Sequence, residues 1–317
     1  MLALASPLQA GKPGTSQPQE IFFRAPNGKG TQLVAAARDG SNVSTLFTDS
    51  GTLYFGFDVG SADSGVIILG TRAGELKHLT YAKNSAGVFA QLDVRTLRTG
   101  IASSSAVDLS PDGTRIAYRD ATDGALMVYN IADGTTTEWS RGPWAWDFVW
   151  ARGGASLVLL EQSSPVDQRS HLYEIVTPGE RVEILNRRYM DAVEVSRTDA
   201  NVLLLSYNSE DGQQTFVGTW RMPMSNADGT STPGEWVNPS LAGRSFSSRG
   251  VLSCDDSYLL YGGSGPAGQQ MWFTKTLPSG ADTVISKAGA NAIPQSWSRC
   301  ATPPTTAGDP LIFREVP

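Results

Sequence analysis

The stretch from Ala106 to Trp139 constrains this chain more than any other. It reads Ala-Val-Asp-Leu-Ser-Pro-Asp-Gly, Thr-Arg-Ile-Ala-Tyr-Arg, Ala-Leu-Met-Val-Tyr-Asn-Ile-Ala-Asp-Gly and Thr-Thr-Thr-Glu-Trp. Four short apolar-rich runs are separated by turn residues at Pro111-Asp112-Gly113, Asp123-Gly124 and Asp133-Gly134. Glycine supplies the positive φ that a tight hairpin needs, and aspartate bonds its own backbone while the chain reverses. The pattern predicts a four-stranded meander. Such a sheet cannot bury both of its faces alone, so it requires neighbours of the same kind.

The chain supplies them. Glu20–Ala25, Thr31–Asn42 and Val43–Phe47 read as the later strands of a unit. A second unit has runs at Thr52–Val59, Gly65–Gly70, Gly87–Val94 and from Leu97. Within it, Glu75–Thr80 is either an outer strand or an insertion. After the 106–139 unit, full meanders follow at 146–185, 192–237 and 249–286. The 192–237 unit carries a long polar loop, Met222–Pro233, of a length that is often functional.

Gln295–Arg299 and Pro310–Val316 begin a unit that they do not finish, while the first residues hold later strands without a first one. That complementarity predicts a ring closed by strands from both termini, which hides the edges of an open array. Either Ile21–Arg24 or Leu311–Arg314 is the second strand of the closing unit. The expectation is an all-β, six-bladed β-propeller of four-stranded antiparallel blades over residues 20–317, preceded by a leader over 1–19.

Ser110-Pro-Asp-Gly-Thr-Arg-Ile-Ala-Tyr, followed by an Asp-Gly-tipped hairpin, resembles the repeat of TolB-like propellers. Glu75-Leu-Lys-His-Leu-Thr and Arg38-Asp-Gly-Ser-Asn resemble the strand ends of the same repeat. The resemblance covers most of Glu20 to Pro317. Its motif is complete once and shortened elsewhere, as in Ser196-Arg-Thr-Asp and Ser253-Cys-Asp-Asp. It implies the propeller and leaves the function to be read from the site, since one scaffold hosts many roles.

Composition narrows the partner. Net charge is -6 and no Lys/Arg run exceeds two neighbours, so the concentrated basic face that phosphate backbones require is missing and no nucleic-acid partner is expected. No apolar stretch reaches the length of a membrane span. Met1–Ala10 is apolar, ends in small residues and precedes a Gly/Pro/Ser/Gln-rich segment to Gln19. It resembles the later part of a secretory signal peptide, with cleavage after Ala10, so the protein is expected to be periplasmic or secreted. Cys254 and Cys300 fall at nearly equivalent points of successive units. A disulfide between them is open, worth about 4 kcal/mol in the chain-entropy model; the alternative is two separate buried thiols.

Catalytic chemistry finds little to work with. The two histidines, His78 and His171, fall on separate strands, so a metal held by several histidines is excluded by count. Gly-x-Ser-x-Gly is missing; Gly262-Gly-Ser-Gly-Pro-Ala-Gly reads as a hairpin loop. No catalytic residue is nominated and no cofactor is expected. Calcium is the one metal weighed, at Asp58–Ser64 or Asp255-Asp256, but neither stretch offers the EF-hand pattern and such aspartates ordinarily form turns. Asp112 is expected to bond its own turn.

The aromatic residues are more telling. Trp139, Trp144, Trp146 and Trp150 surround the Ser140-Arg-Gly-Pro connection between two units. Trp146 and Trp150 suit the wedge between blades, where large rings pack. Trp144, in the connection itself, can face the tunnel mouth and form with Arg141 a stacking patch. Trp144, Arg141 and Trp146 are therefore the candidate binding residues. The reading is a monomeric, exported, non-catalytic module that recognises a protein or peptide at one mouth. The alternatives are a hydrolase or lyase acting on a carbohydrate or peptide in the central pocket, and a structural interaction domain.

Overall fold

The computed structural model describes residues 20–27, 30–37, 43–51, 53–61, 63–103, 106–110, 112–142, 145–151, 154–162, 169–188, 190–195, 202–208, 217–223, 235–236, 251–252, 258–264, 270–276, 282–284 and 293–297. Every regular element among them is a β-strand. The first three are β1 (Glu20–Asn27), β2 (Gly30–Ala37) and β3 (Ser44–Asp49). Then come β4 (Leu53–Ser61), β5 (Ser64–Thr71), β6 (Glu75–Lys83) and β7 (Phe89–Thr99). The template stretch forms β8 (Val107–Leu109), β9 (Arg115–Arg119), β10 (Leu126–Asn130) and β11 (Thr136–Ser140). After it lie β12 (Ala145–Trp150), β13 (Leu157–Gln162), β14 (Arg169–Thr177) and β15 (Glu180–Arg188). The next group is β16 (Met190–Val195), β17 (Val202–Asn208), β18 (Val217–Pro223) and β19 (Glu235–Trp236). The last are β20 (Val251–Leu252), β21 (Tyr258–Ser264), β22 (Gln270–Thr276), β23 (Asp282–Val284) and β24 (Ile293–Trp297).

Among the described residues these strands make six four-stranded antiparallel sheets. Five follow chain order. The sixth has the order β24-β1-β2-β3, with Ile21 opposite Trp297 and Arg24 opposite Ile293. Leu311–Arg314, the other candidate for that place beside β2, lies outside the described residues, as do residues 1–19.

The template sheet shows why the sequence folds this way. Gly113, Gly124 and Gly134 each have φ of 72°. One residue before each, an aspartate carboxylate accepts the amide two residues on: Thr114 N–H to Asp112 at 3.1 Å, Ala125 to Asp123 at 3.1 Å and Thr135 to Asp133 at 2.9 Å. All three reversals use one device, a side-chain turn followed by a left-handed glycine. Asp112 does bond its own turn, and the Ser110 hydroxyl donates to it as well.

The second unit corrects the sequence reading. Glu75–Lys83 is its third strand, and Phe89–Thr99 is one continuous fourth strand where two runs were expected. Asp93-Val-Arg-Thr contains neither Gly nor Pro, so nothing turns the chain there. A register shift between Thr80 and Tyr81 absorbs the irregular spacing instead.

Two apolar clusters hold neighbouring sheets together. One joins Leu33, Leu69, Leu79, Ile116 and Tyr118 across the sheets of β1–β3, β4–β7 and β8–β11. The other lies between the sheets of β8–β11 and β12–β15 and is centred on Trp150, which is wholly buried. Trp150 meets Trp139 edge to face at 5.3 Å, and the Arg115 guanidinium lies 4.5 Å from its ring centroid. Its backbone amide donates to the buried Asp108 carboxylate at 2.9 Å, and its indole N–H to the Asp108 carbonyl at 3.3 Å. Asp108 thus fastens the first strand of one sheet to that of the next.

Candidate functional site

In each of the second, third and fourth sheets, the connection entering the sheet and the turn between its second and third strands fall at the same end. They touch repeatedly. A Cβ on Gly51, between β3 and β4, would stand 2.7 Å from Arg72 Cβ in the β5–β6 turn. Between β7 and β8, Ile101 N–H donates to Gly74 O at 3.1 Å and Ala102 N–H to Arg119 O at 2.8 Å, while Ala121 N–H donates to Gly100 O at 3.0 Å. Between β11 and β12, Gly142 lies against the Glu161 carboxylate so closely that any side chain would collide with it. Each connection is therefore laid across the adjacent turns, which fixes the rim at that end.

Arg141 belongs to this rim. Its guanidinium forks onto Glu138, with Nε donating to Oε1 at 3.0 Å and Nη2 to Oε2 at 2.6 Å. Nη1 donates to Asp123 of the β9–β10 turn. The Glu138 and Asp123 bonds hold the guanidinium proton even more firmly than in a free arginine. The reciprocal effects lower both carboxyls. For Asp123 the Ala125 amide is the largest cause, and for Glu138 it is the Arg141 bond. Arg141 remains exposed, a planar cation held in one orientation.

Arg119, the last residue of β9, flanks the same turn from the other side. Its Nε donates to Gly124 O at 3.3 Å, and Nη2 lies beside the Gly124 backbone. Among the described residues no carboxylate reaches it, and burial alone pulls its pKa below the ordinary arginine value. Arg115 and Arg119 share one face of β9 with Ala117, the face turned to the sheet of β12–β15. Arg115 crosses that junction to Gly154 O and the Trp150 ring; among the described residues Arg119 bonds only within its own sheet. Sequence reasoning passed over Arg119. The signal that marks it is two arginines on either side of Ala117 on a face that ought to be apolar.

Further out on the same junction, Arg181 lies 4.5 Å over the Tyr173 ring and its Nη1 donates to the buried Glu161 carboxylate at 2.7 Å. His171 stacks on Tyr173 at 5.9 Å and meets Glu183 at 2.6 Å through Nδ1.

No family model matches this sequence, and no curated protein does. Comparison of structures finds many matches. TolB of Acinetobacter baumannii superposes with a TM-score of 0.61 at 11% identity, over 92% of this chain and 67% of that one. The TolB-type protein of Agrobacterium tumefaciens gives 0.56 at 16% identity, over 96% of this chain and 100% of the other. A chain of the nidogen/laminin complex gives 0.53 at 8% identity, over 82% and 90%. The fold is that of a TolB-like β-propeller.

On this propeller the expected site residues fall as follows. Arg141 stands on the rim described above. Trp146 enters β12 just after the connection, and Trp144 lies outside the described residues. Trp150 fills the wedge between sheets, as expected of it. His78 on β6 and His171 on β14 belong to different sheets. Gly262–Ser264, the start of the stretch read as loop, are the end of β21, because small residues still pair backbone to backbone with Trp272, Met271 and Gln270 on β22. Asp63, in the acidic stretch weighed for calcium, is ion-paired with Lys83 at 3.2 Å. Among the described residues no three His, Cys, Asp or Glu side chains converge on a common point. Cys254 and Cys300 lie outside the described residues.

Proposed function

We propose that this chain is an exported, non-catalytic binding module: a monomeric propeller of six blades that recognises a protein or peptide through the loops of one mouth. The ring is closed where β24 pairs with β1. The contact residues are Trp144 and Arg141, on the connection between the third and fourth blades, and Trp146, in the strand that follows it. One observation carries this reading. Arg141 is exposed yet held rigid by Glu138 and Asp123, so it presents a pre-oriented cation, close in sequence to Trp144 and Trp146, at little further entropic cost. The apolar leader before Gln19 supports export to the periplasm or beyond.

The test is to pan the purified chain against a phage-displayed library of random peptides. Enriched peptides are then measured on a Trp144→Ala, Arg141→Ala double variant. Binding is expected to fall at least about tenfold, as for truncation of interface anchors. Peptides that bind the variant as tightly as the parent would remove the site.

A further inference from the structure

Arg119 is a cation built into the same rim and, among the described residues, left without a counter-charge. Its neighbour on the strand face, Arg115, shows what a satisfied arginine looks like here. That side chain crosses to the fourth sheet, donates to Gly154 O and packs on Trp150. Among the described residues Arg119 makes one side-chain bond, to Gly124 O at 3.3 Å, from a group with five N–H donors. The β9–β10 turn that holds it also places Arg141 through Asp123, so two guanidiniums stand on either side of one hairpin tip. Of the two, Arg141 is neutralised by Glu138 and Asp123; Arg119 has no carboxylate partner among the described residues. A half-buried arginine without an anion costs free energy, and a ligand that supplies one recovers it.

We infer that Arg119 is the anchor for a carboxylate of the bound peptide, so that the mouth selects acidic segments. The inference rests on the peptide-binding reading above and names the chemistry that reading leaves open. Arg119 takes the carboxylate in a two-point, charge-assisted bond while Arg141, already paired, offers its flat face. The chain's net charge of -6 does not oppose this: the attraction is local and short-ranged, and distant surface charge is screened within about 10 Å.

The test uses the peptides enriched by panning on the full chain. They are expected to carry Asp or Glu at a common position, and to bind more weakly as salt is raised. Fluorescence polarisation with a labelled enriched peptide should show Arg119→Gln weakened about ten- to hundredfold, with Arg119→Lys between the two. Replacing the peptide's acidic residue by its amide should weaken binding to the parent equally, and should cost nothing more against Arg119→Gln. The amide peptide on the unaltered protein keeps the test valid if Arg119→Gln fails to fold. Enriched peptides that lack a carboxylate, or that bind their amide forms equally well, overturn the inference. If they nevertheless depend on Trp144 and Arg141, the binding site stands and the Arg119 assignment alone falls. A library that yields no binder overturns both.

Discussion

Replacing Trp150 by alanine should separate the third and fourth sheets. The side chain is wholly buried, and an indole removes roughly 200 Å² from water, worth about 5 kcal/mol at about 25 cal/mol per Å². Truncation also strips the ring from Arg115 and deletes the edge-to-face partner of Trp139. The indole bond to the Asp108 carbonyl, at 3.3 Å, adds about 1 kcal/mol. Measured losses for buried aromatic-to-alanine changes run about 3–5 kcal/mol, and this site belongs at the top of that range. The loss rivals the whole stability of many domains, about 5–15 kcal/mol. Trp150→Phe keeps most of the volume and loses the N–H, so it should cost about 1–2 kcal/mol. Urea unfolding followed by far-ultraviolet circular dichroism reads both. A loss below about 2 kcal/mol for Trp150→Ala would refute the claim that this ring seals the junction.

Other outcomes follow from the same contacts. Gly142→Ala should destabilise by about 1–3 kcal/mol, because the new methyl drives Glu161 off Arg181; thermal unfolding measures it. Acid should weaken the fold in two stages. Burial, helped by Arg95 and opposed by Asp93, holds His78 below its ordinary value of 6.5. The unfolded chain therefore takes up that proton first, and stability falls as pH drops below about 6.5. His78→Gln should flatten that part of the profile. At Asp112 burial pushes the carboxyl up, but the bonds from Ser110 and from Thr114 outweigh it and the net shift is downward. Its contribution is complete above about pH 4 and is lost as pH falls through the depressed value; Asp112→Asn should abolish that second stage. Arg141→Ala, at an exposed pair, should leave the unfolding midpoint unchanged while weakening peptide binding.

Much of this fold could be read directly because the turns are written in the sequence. Asp112-Gly, Asp123-Gly and Asp133-Gly each close a hairpin whose strands then need only alternate in polarity. Where the punctuation thins, at Asp93-Val-Arg-Thr, reading broke one long strand into two. The site was less legible. Trp144 and Trp146 drew notice as large rings near a connection, and Arg141 as their neighbour. Its clamp by Glu138 could be guessed from spacing, but Asp123 reaches it only once the sheet brings the β9–β10 turn alongside. Arg119 differs again, since its meaning depends on what is not opposite it across a sheet junction, and periodicity does not report that. Asp108 is similar: one aspartate in a strand gave no hint that it binds the amide of Trp150 in the next sheet.

Whether recognition occurs at this mouth is most directly measured by site-specific photo-crosslinking. A benzophenone amino acid replaces Trp144 in one variant and Ala132 in another; Ala132 is exposed in the β10–β11 turn at the opposite end of the third sheet. With a library-selected peptide the account predicts covalent capture at position 144 and none at 132. Capture at 132 alone, or at neither position by a peptide that still binds, would contradict it.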